Sequence, residues 1–428
     1  SIISIFYWVL KPKEELYEAK WNAPDTTLAI TINGEISTMF PTSSAYTGSV
    51  ECTNGTGKVE WNGSKWILTT SGIENGSTRC NAIFIARELT FSEIILTKNE
   101  VKEPLTTPGK EISSEEEALL ASTEDDYGTS YYFRGAVKNN YVQFANKCWR
   151  IVRINGNNSV KLVLHNDNSS NASAPCSSSN NSSTAAFARY DGTNYTSAFN
   201  SLRGDNAYVG FMYGQTGVNN YANTHANTNK STILTNLETW YKSNLMSYED
   251  KLADTIWCND KSIFSSFTTG STWGSGLGYG TNNTGYGAFY RTFGGGTASY
   301  ASPSLICPAD NDGGKLSKFT VDDTINGNGN LTYKIGLLTA DELAFSGSIN
   351  GSFKNDIVYL YENTGGSSWW LISPGSNNGY ARVYSSGCTS VDGCSVVGSI
   401  GLRPSISLVS SIAFSDGTGT SEDPYIVN

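Results

Sequence analysis

The chain has 428 residues, room for two or three domains at roughly 150 residues each. Only 16% of it is charged, with a formal net charge of −10. That balance argues against nucleic acid, which needs a basic face to displace counterions, and against electrostatic docking on anionic lipid. Its polar positions are filled by Ser, Thr, Asn and Gly rather than by Lys and Glu, the composition of an exported, β-rich protein.

The N-terminal stretch SIISIFYWVL is almost wholly apolar. It lacks the basic n-region and small-residue cleavage site of a signal peptide, and it is about half the length of a spanning helix. Read as a strand, Ile3, Ile5, Tyr7 and Val9 fall on one face and Ile2, Phe6, Trp8 and Leu10 on the other. The stump of a longer anchor or of a pilin-like helix remains an alternative. A strand apolar on both faces needs neighbours on both sides, either in its own sandwich or in a groove of another subunit. KPKEELYEAKW would then be a leash, giving a segment of residues 1–21.

Residues 22–105 read as a small β-sandwich-like domain. TTLAITING alternates and ends in an Asn33-Gly34 turn, and Asn-Gly recurs at 54–55 and 62–63, the strongest short-range hairpin signal. TRCNAIFIARELTFSEIIL is expected to add further strands. Residues 106–127 read as an acidic linker carrying one short helix, because Ser114 and Glu117 have capping-box spacing ahead of Ala118, Leu119 and Leu120.

A larger α+β domain is expected over 128–428. CWRIVRINGNNSVKLVLHND reads as a hairpin turning at Asn155-Gly156, with Trp149, Ile151 and Arg153 on one face. Residues 231–254 carry helical spacing at Ile233, Leu234, Leu237, Trp240, Tyr241 and Leu245. TADELAFSG reads as a second helix, capped by Thr339 with Glu342 and stopped by Gly347. Asn/Ser/Gly/Tyr-rich loops lie between, notably 166–184 and 266–300.

The eight cysteines fall into neighbouring couples: Cys52 with Cys80, Cys148 with Cys176, Cys258 with Cys307, and Cys388 with Cys394. Among 105 connectivities this is the simplest, and four disulfides imply an oxidising, extracellular setting. With no C-x-x-C and only His165 and His225, zinc is not expected. PADNDGGK sets Asp310 and Asp312 two apart, a fragment of a calcium loop without the distal bidentate Glu; no cofactor is expected beyond that calcium candidate. No nucleophile elbow, H-E-x-x-H or P-loop occurs, so no enzyme activity is expected. The pairs Asp322–Asp323 and Asp341–Glu342 read as solvated carboxylates.

From about residue 126 the phrases DDYGTSYYFRGAVKNNYVQFANKCWRIVRINGN, NLETWYKSNLMSYEDKLADTIWCNDKS, YKIGLLTADELAFSG and GLRPSISL, with the tail GTGTSEDPYIV, resemble a family of exported proteins of uncharacterised function from gut Firmicutes and related bacteria. The pattern WWLISP…ARVYSSG…GLRPSISL also resembles the C-terminal half of the C-type-lectin fold, shared by sulfatase-modifying enzymes and variable surface receptors. The resemblance implies a lectin-like domain at the cell surface, with Trp370, Arg382 and Arg403 as framework. The reactive cysteine pair of the sulfatase-modifying enzymes has no match, since Cys388 and Cys394 read as a small disulfide loop.

The expectation is a subunit of an extracellular, pilus-like filament. Ile2, Ile3, Ile5, Phe6, Tyr7, Trp8, Val9 and Leu10 would join copies of the chain by strand complementation, and the lectin-like domain would sit outside. The alternative is a monomeric or anchored adhesin that binds glycan or protein through the loops at 266–300 and 376–400. No nucleic acid partner is expected.

Overall fold

The computed structural model describes residues 17–20, 27–73, 77–263, 284–293, 302–308, 314–348, 357–377, 380–387 and 393–428. The protein is mainly β, with 34% strand against 16% helix distributed over several sheets. Contacts divide it into two compact units, Ser1–Leu89 and Thr90–Asn428. Strands of three or more residues and α-helices of six or more are numbered below in chain order.

The first unit holds β1 (Tyr17–Lys20), β2 (Thr27–Ile32), β3 (Glu35–Ser37), β4 (Tyr46–Cys52), β5 (Thr56–Trp61), β6 (Trp66–Ser71) and β7 (Arg79–Ala86). They form two sheets, β1-β6-β5 and β3-β2-β7-β4. Alternation along β2, β6 and β7 turns Leu28, Ile30, Trp66, Leu68, Ala82 and Phe84 into one core shared by both sheets. Asn33 and Gly34 both take positive φ, the backbone a two-residue hairpin between twisted strands requires, and they join β2 to β3. Asn62 turns β5 into β6 differently, its side-chain oxygen accepting from the backbone N–H of Ser64 and Lys65. Asn54-Gly55 makes no hairpin. β4 pairs with β7 and β5 with β6, so this turn carries the chain from one sheet to the other. The stretch read as a leash is strand over Tyr17–Lys20.

The second unit opens with a helix where strand was expected. α1 (Phe91–Lys98) starts at Thr90, whose hydroxyl accepts from Glu93 N–H while the Glu93 carboxylate accepts from Thr90 N–H, and it buries Phe91 and Ile95. The helix expected after Ser114 is a single 3-10 turn, Glu115–Glu117. Ser114 caps Glu116, and Glu117 is drawn instead to Arg134 and the N–H of Thr106, so no capping box closes. Leu119 and Leu120 then begin β8 (Leu119–Asp125).

The main sheet is built on β9 (Gly128–Arg134), β10 (Tyr141–Phe144), β11 (Lys147–Ile154) and β12 (Val160–Asn166). The β11–β12 hairpin turns over 155–159 as expected and is buried along its whole length. α2 (Thr232–Asn244) buries Ile233, Leu234, Leu237, Trp240 and Tyr241 and is capped by Ser231. The expected helical stretch then breaks, and Met246–Lys251 is 3-10. α3 (Gly287–Phe293) and α4 (Ala340–Phe345) follow; α4 has the full Thr339/Glu342 capping box, and Gly347 after it takes φ +103°. β13 (Trp370–Asn377) and β14 (Ala381–Ser385) pair in a second sheet. β15 (Ser405–Leu408), β16 (Phe414–Asp416) and β17 (Tyr425–Val427) return to the first, giving the order β15-β12-β11-β10-β17-β16, with β9 on the end of β11 and β8 beyond it.

Cys52–Cys80, Cys148–Cys176 and Cys258–Cys307 are disulfides, paired in sequence order as expected, and Cys394 is disulfide-bonded too. Such a set forms in an oxidising, extracellular-type compartment. Among the described residues no helix is long and apolar enough to cross a membrane.

Candidate functional site

Two places stand out, one in each unit. In the first unit, β1 lies parallel to β6 with Tyr17 opposite Trp66, Glu18 opposite Ile67, Ala19 opposite Leu68 and Lys20 opposite Thr69. Among the described residues, the sheet there has two other strands, β6 and β5. β6 alternates between buried Trp66, Leu68 and Thr70 and more exposed Ile67, Thr69 and Ser71, so its inner face is fixed by the core. Its outer edge is thus a main-chain template occupied by four residues from the N-terminal part of the chain.

In the second unit a cleft runs between β8, the end of β11, β12, α4 and the Cys258–Cys307 disulfide. Its position follows from a β-bulge. Ile151 pairs with Leu162, but Arg153 pairs with Lys161, so Ile151 and Arg153 fall on opposite faces. Trp149, Ile151 and Arg153 therefore do not share a face. The bulge turns Arg153 toward Lys161, and both meet Glu342: Arg153 Nε at 3.0 Å and Lys161 Nζ at 2.5 Å. Arg153 also pairs with Asp125. Alongside, Arg291 forks onto both oxygens of Asp341 at 2.9 Å and reaches Asp260 at 2.7 Å.

Three cations thus face four carboxylates, the carboxylates and Lys161 almost wholly buried and Arg291 the most open. Asp341 and Glu342, expected to be solvated, are each 3% exposed. Burial would raise the Glu342 pKa, but Lys161 and Arg153 outweigh it and hold the carboxyl below its usual range. Burial pulls Lys161 down to about 8 against the opposing pull of Glu342. Burial would also lower Arg291, yet Asp341 and Asp260 raise it. The second oxygens are used as well: Glu342 accepts from Thr339 N–H at 2.9 Å and Asp260 from Ser262 N–H at 2.9 Å. The cavity is about 20 Å³, space for about one water. Chemically, the arrangement is a clamp that ties α4 and the disulfide-bearing segment to the main sheet.

Trp370 is fully buried and donates its indole N–H to the Ser197 carbonyl at 2.7 Å. Arg403 is fully buried beneath Trp369, 4.6 Å from its ring, and donates to the carbonyls of Leu164 and Leu360. Burial lowers its pKa to about 9. Arg382 is half-buried on β14 and donates to the Gly393 carbonyl at 3.2 Å. The three are in separate settings, not one cluster. Residues 1–10, Asp310, Asp312 and Cys388 lie outside the described residues. Among the described residues no group of three or more His, Cys, Asp or Glu side chains is placed to hold a metal ion.

The clamp was missed at the sequence level because its members are spread from residue 125 to 342. The one available signal was the density of charge in the otherwise β-like runs of β11 and β12. No family model, curated protein or solved structure matches the chain.

Proposed function

We propose that this chain is a structural subunit of an extracellular surface filament. Residues 1–21 of one copy would add to the β6 edge of the next, and the second unit, lectin-like by its sequence resemblance, would be displayed outward. The observation that carries the reading is the parallel pairing of Tyr17–Lys20 with Trp66–Thr69. It supports a strand-forming N-terminal segment with a receptive sheet edge inside the same unit. Strand addition supplies main-chain hydrogen bonds in a fixed register, and apolar side chains on residues 1–10 supply area to bury. An edge filled from a neighbour is a heterologous, head-to-tail contact, and such contacts propagate into fibres unless the rotation closes a ring. The disulfides fit the oxidising exterior such an assembly occupies.

A register-specific trap tests this. Lys20 and Thr69 are partners across β1 and β6. One preparation carries Lys20→Cys and a second Thr69→Cys, and the two are mixed under mild oxidation. A disulfide-linked dimer of the two variants is expected. Failure to cross-link in the mixture, with efficient cross-linking inside a single chain carrying both substitutions, would confine β1 to its own subunit and leave the adhesin as the better reading.

A further inference from the structure

The cleft between β8, β11, β12 and α4 carries hydrogen-bonding capacity that the clamp leaves unused. Lys161 and Arg153 both line it and are 2% and 7% exposed. Lys161 Nζ donates to Glu342, with the Trp257 ring 4.6 Å away, and among the described residues its other two N–H groups meet no acceptor oxygen. Arg153 spends Nε on Glu342 and Nη1 on Asp125 and Ser130, which leaves both N–H groups of Nη2 without a described partner. The Tyr127 and Ser373 hydroxyls line the same cleft. They accept from the N–H of Ile256 at 3.0 Å and of Ala340 at 2.9 Å, and neither donates to a described residue. The carboxylates have capacity to spare as well. Among the described residues Asp260 Oδ1 accepts from Ser262 N–H alone, Asp341 Oδ2 from Arg291 alone and Glu342 Oε2 from Thr339 N–H alone, so each oxygen keeps a lone pair.

The cavity these groups line is about 20 Å³, the size of one water. A group that suits it is small, accepts from Lys161 and Arg153, and donates to a carboxylate. An anion cannot donate, and it would meet four carboxylates against three cations. Asp126, on the same cleft, is balanced by Lys318 at 2.7 Å and does not alter that excess. An ammonium cannot accept. A hydroxyl does both through a single oxygen. Tyr127 is half-buried and Ile306 is 46% exposed, and both line the cleft. An aromatic ring and an aliphatic side chain beside a hydroxyl-sized polar cavity suit a ligand that carries C–H and O–H surfaces side by side.

We infer that this cleft binds a neutral sugar at the end of a glycan. One sugar hydroxyl occupies the cavity, accepting from Lys161 and from Nη2 of Arg153 and donating to a carboxylate oxygen, while C–H groups of the ring rest on Tyr127 and Ile306. The clamp is kept, because the sugar engages only N–H groups and lone pairs that the clamp does not use. The excess of carboxylate turns away acidic sugars, a discrimination by repulsion. The site lies within the second unit and stands independently of filament assembly.

Saturation-transfer difference NMR of the full, disulfide-bonded chain tests this. The probes are the methyl glycosides of glucose, galactose, mannose and N-acetylglucosamine, with methyl glucuronide as the acidic comparison. Saturable binding of at least one neutral glycoside is expected, with the glucuronide weaker. Among deoxy analogues of the bound sugar, the one lacking the inserted hydroxyl should bind roughly tenfold more weakly or worse, since it leaves buried donors unpaired. Ile306→Ala, at an exposed position whose side chain the clamp does not use, should weaken binding roughly fivefold and leave urea unfolding unchanged. No saturable binding of any neutral glycoside would overturn the inference. So would equal binding of the glucuronide, or binding indifferent to Ile306→Ala and to every deoxy analogue.

Discussion

Glu342→Gln isolates the charge of the buried clamp. Glutamine keeps the shape of the side chain and can still close the capping box with Thr339. It cannot neutralise Arg153 and Lys161, and its single oxygen replaces two that accept from three donors: Arg153, Lys161 and the Thr339 N–H. Lys161 is then buried at 2% exposure without the carboxylate that balances it, while Arg153 retains Asp125. Removing one member of a buried pair costs roughly 3–5 kcal/mol, a large part of the roughly 5–15 kcal/mol that holds a typical domain folded. Urea unfolding of the full chain should show the transition of the second unit at lower denaturant and that of the first unmoved. Lys161→Met in the Glu342→Gln background should recover most of the loss, because it removes the orphaned charge and leaves its stem to pack on Trp257. A Glu342→Gln protein within about 0.5 kcal/mol of the parent would refute the reading of the clamp as a stabilising device.

Stability should also depend on alkaline pH in two opposed stages. Lys161 is depressed from 10.5 to about 8, so between those values the unfolded chain holds a proton the folded one has released, and stability rises with pH, by roughly 3 kcal/mol. Burial raises Tyr132, Tyr141, Tyr361 and Tyr425 from 10.0 to about 12, so above about pH 10 the unfolded chain loses protons that the folded one retains, and stability falls. Lys161→Met should abolish the rising limb alone; a rise that persists in it would contradict the assignment. Cys52→Ala with Cys80→Ala opens a bridge of sequence separation 28 and should lower the stability of the first unit by roughly 3–4 kcal/mol, read as an earlier urea transition of that unit only. A change below about 1 kcal/mol would show that the β4–β7 ladder alone restrains the unit.

What could be read from the sequence was local. The Asn33-Gly34 hairpin, the Thr339/Glu342 capping box and the sequence-order disulfides each rest on residues close together in the chain or on the simplest pairing. Two of the failures come from competition by residues far away. Glu117 had the spacing to cap a helix, but Arg134 and Thr106 claim its carboxylate, and the chain turns into β8. Asn54-Gly55 has hairpin chemistry, yet β4 and β5 find their partners in different sheets. The bulge that turns Arg153 to Lys161 leaves no mark in an alternating run, so Asp341 and Glu342 looked like surface acids. Only the fold, bringing residues 125, 153, 161, 260, 291 and 342 to one cleft, shows why a chain sparing in charge places so much of it inside.

The most direct test of the proposed assembly is negative-stain electron microscopy of the purified chain beside a variant lacking residues 1–10. The account predicts fibres from the intact chain and single particles from the truncated one. Single particles from both, with the truncated protein still folded by circular dichroism, would contradict it.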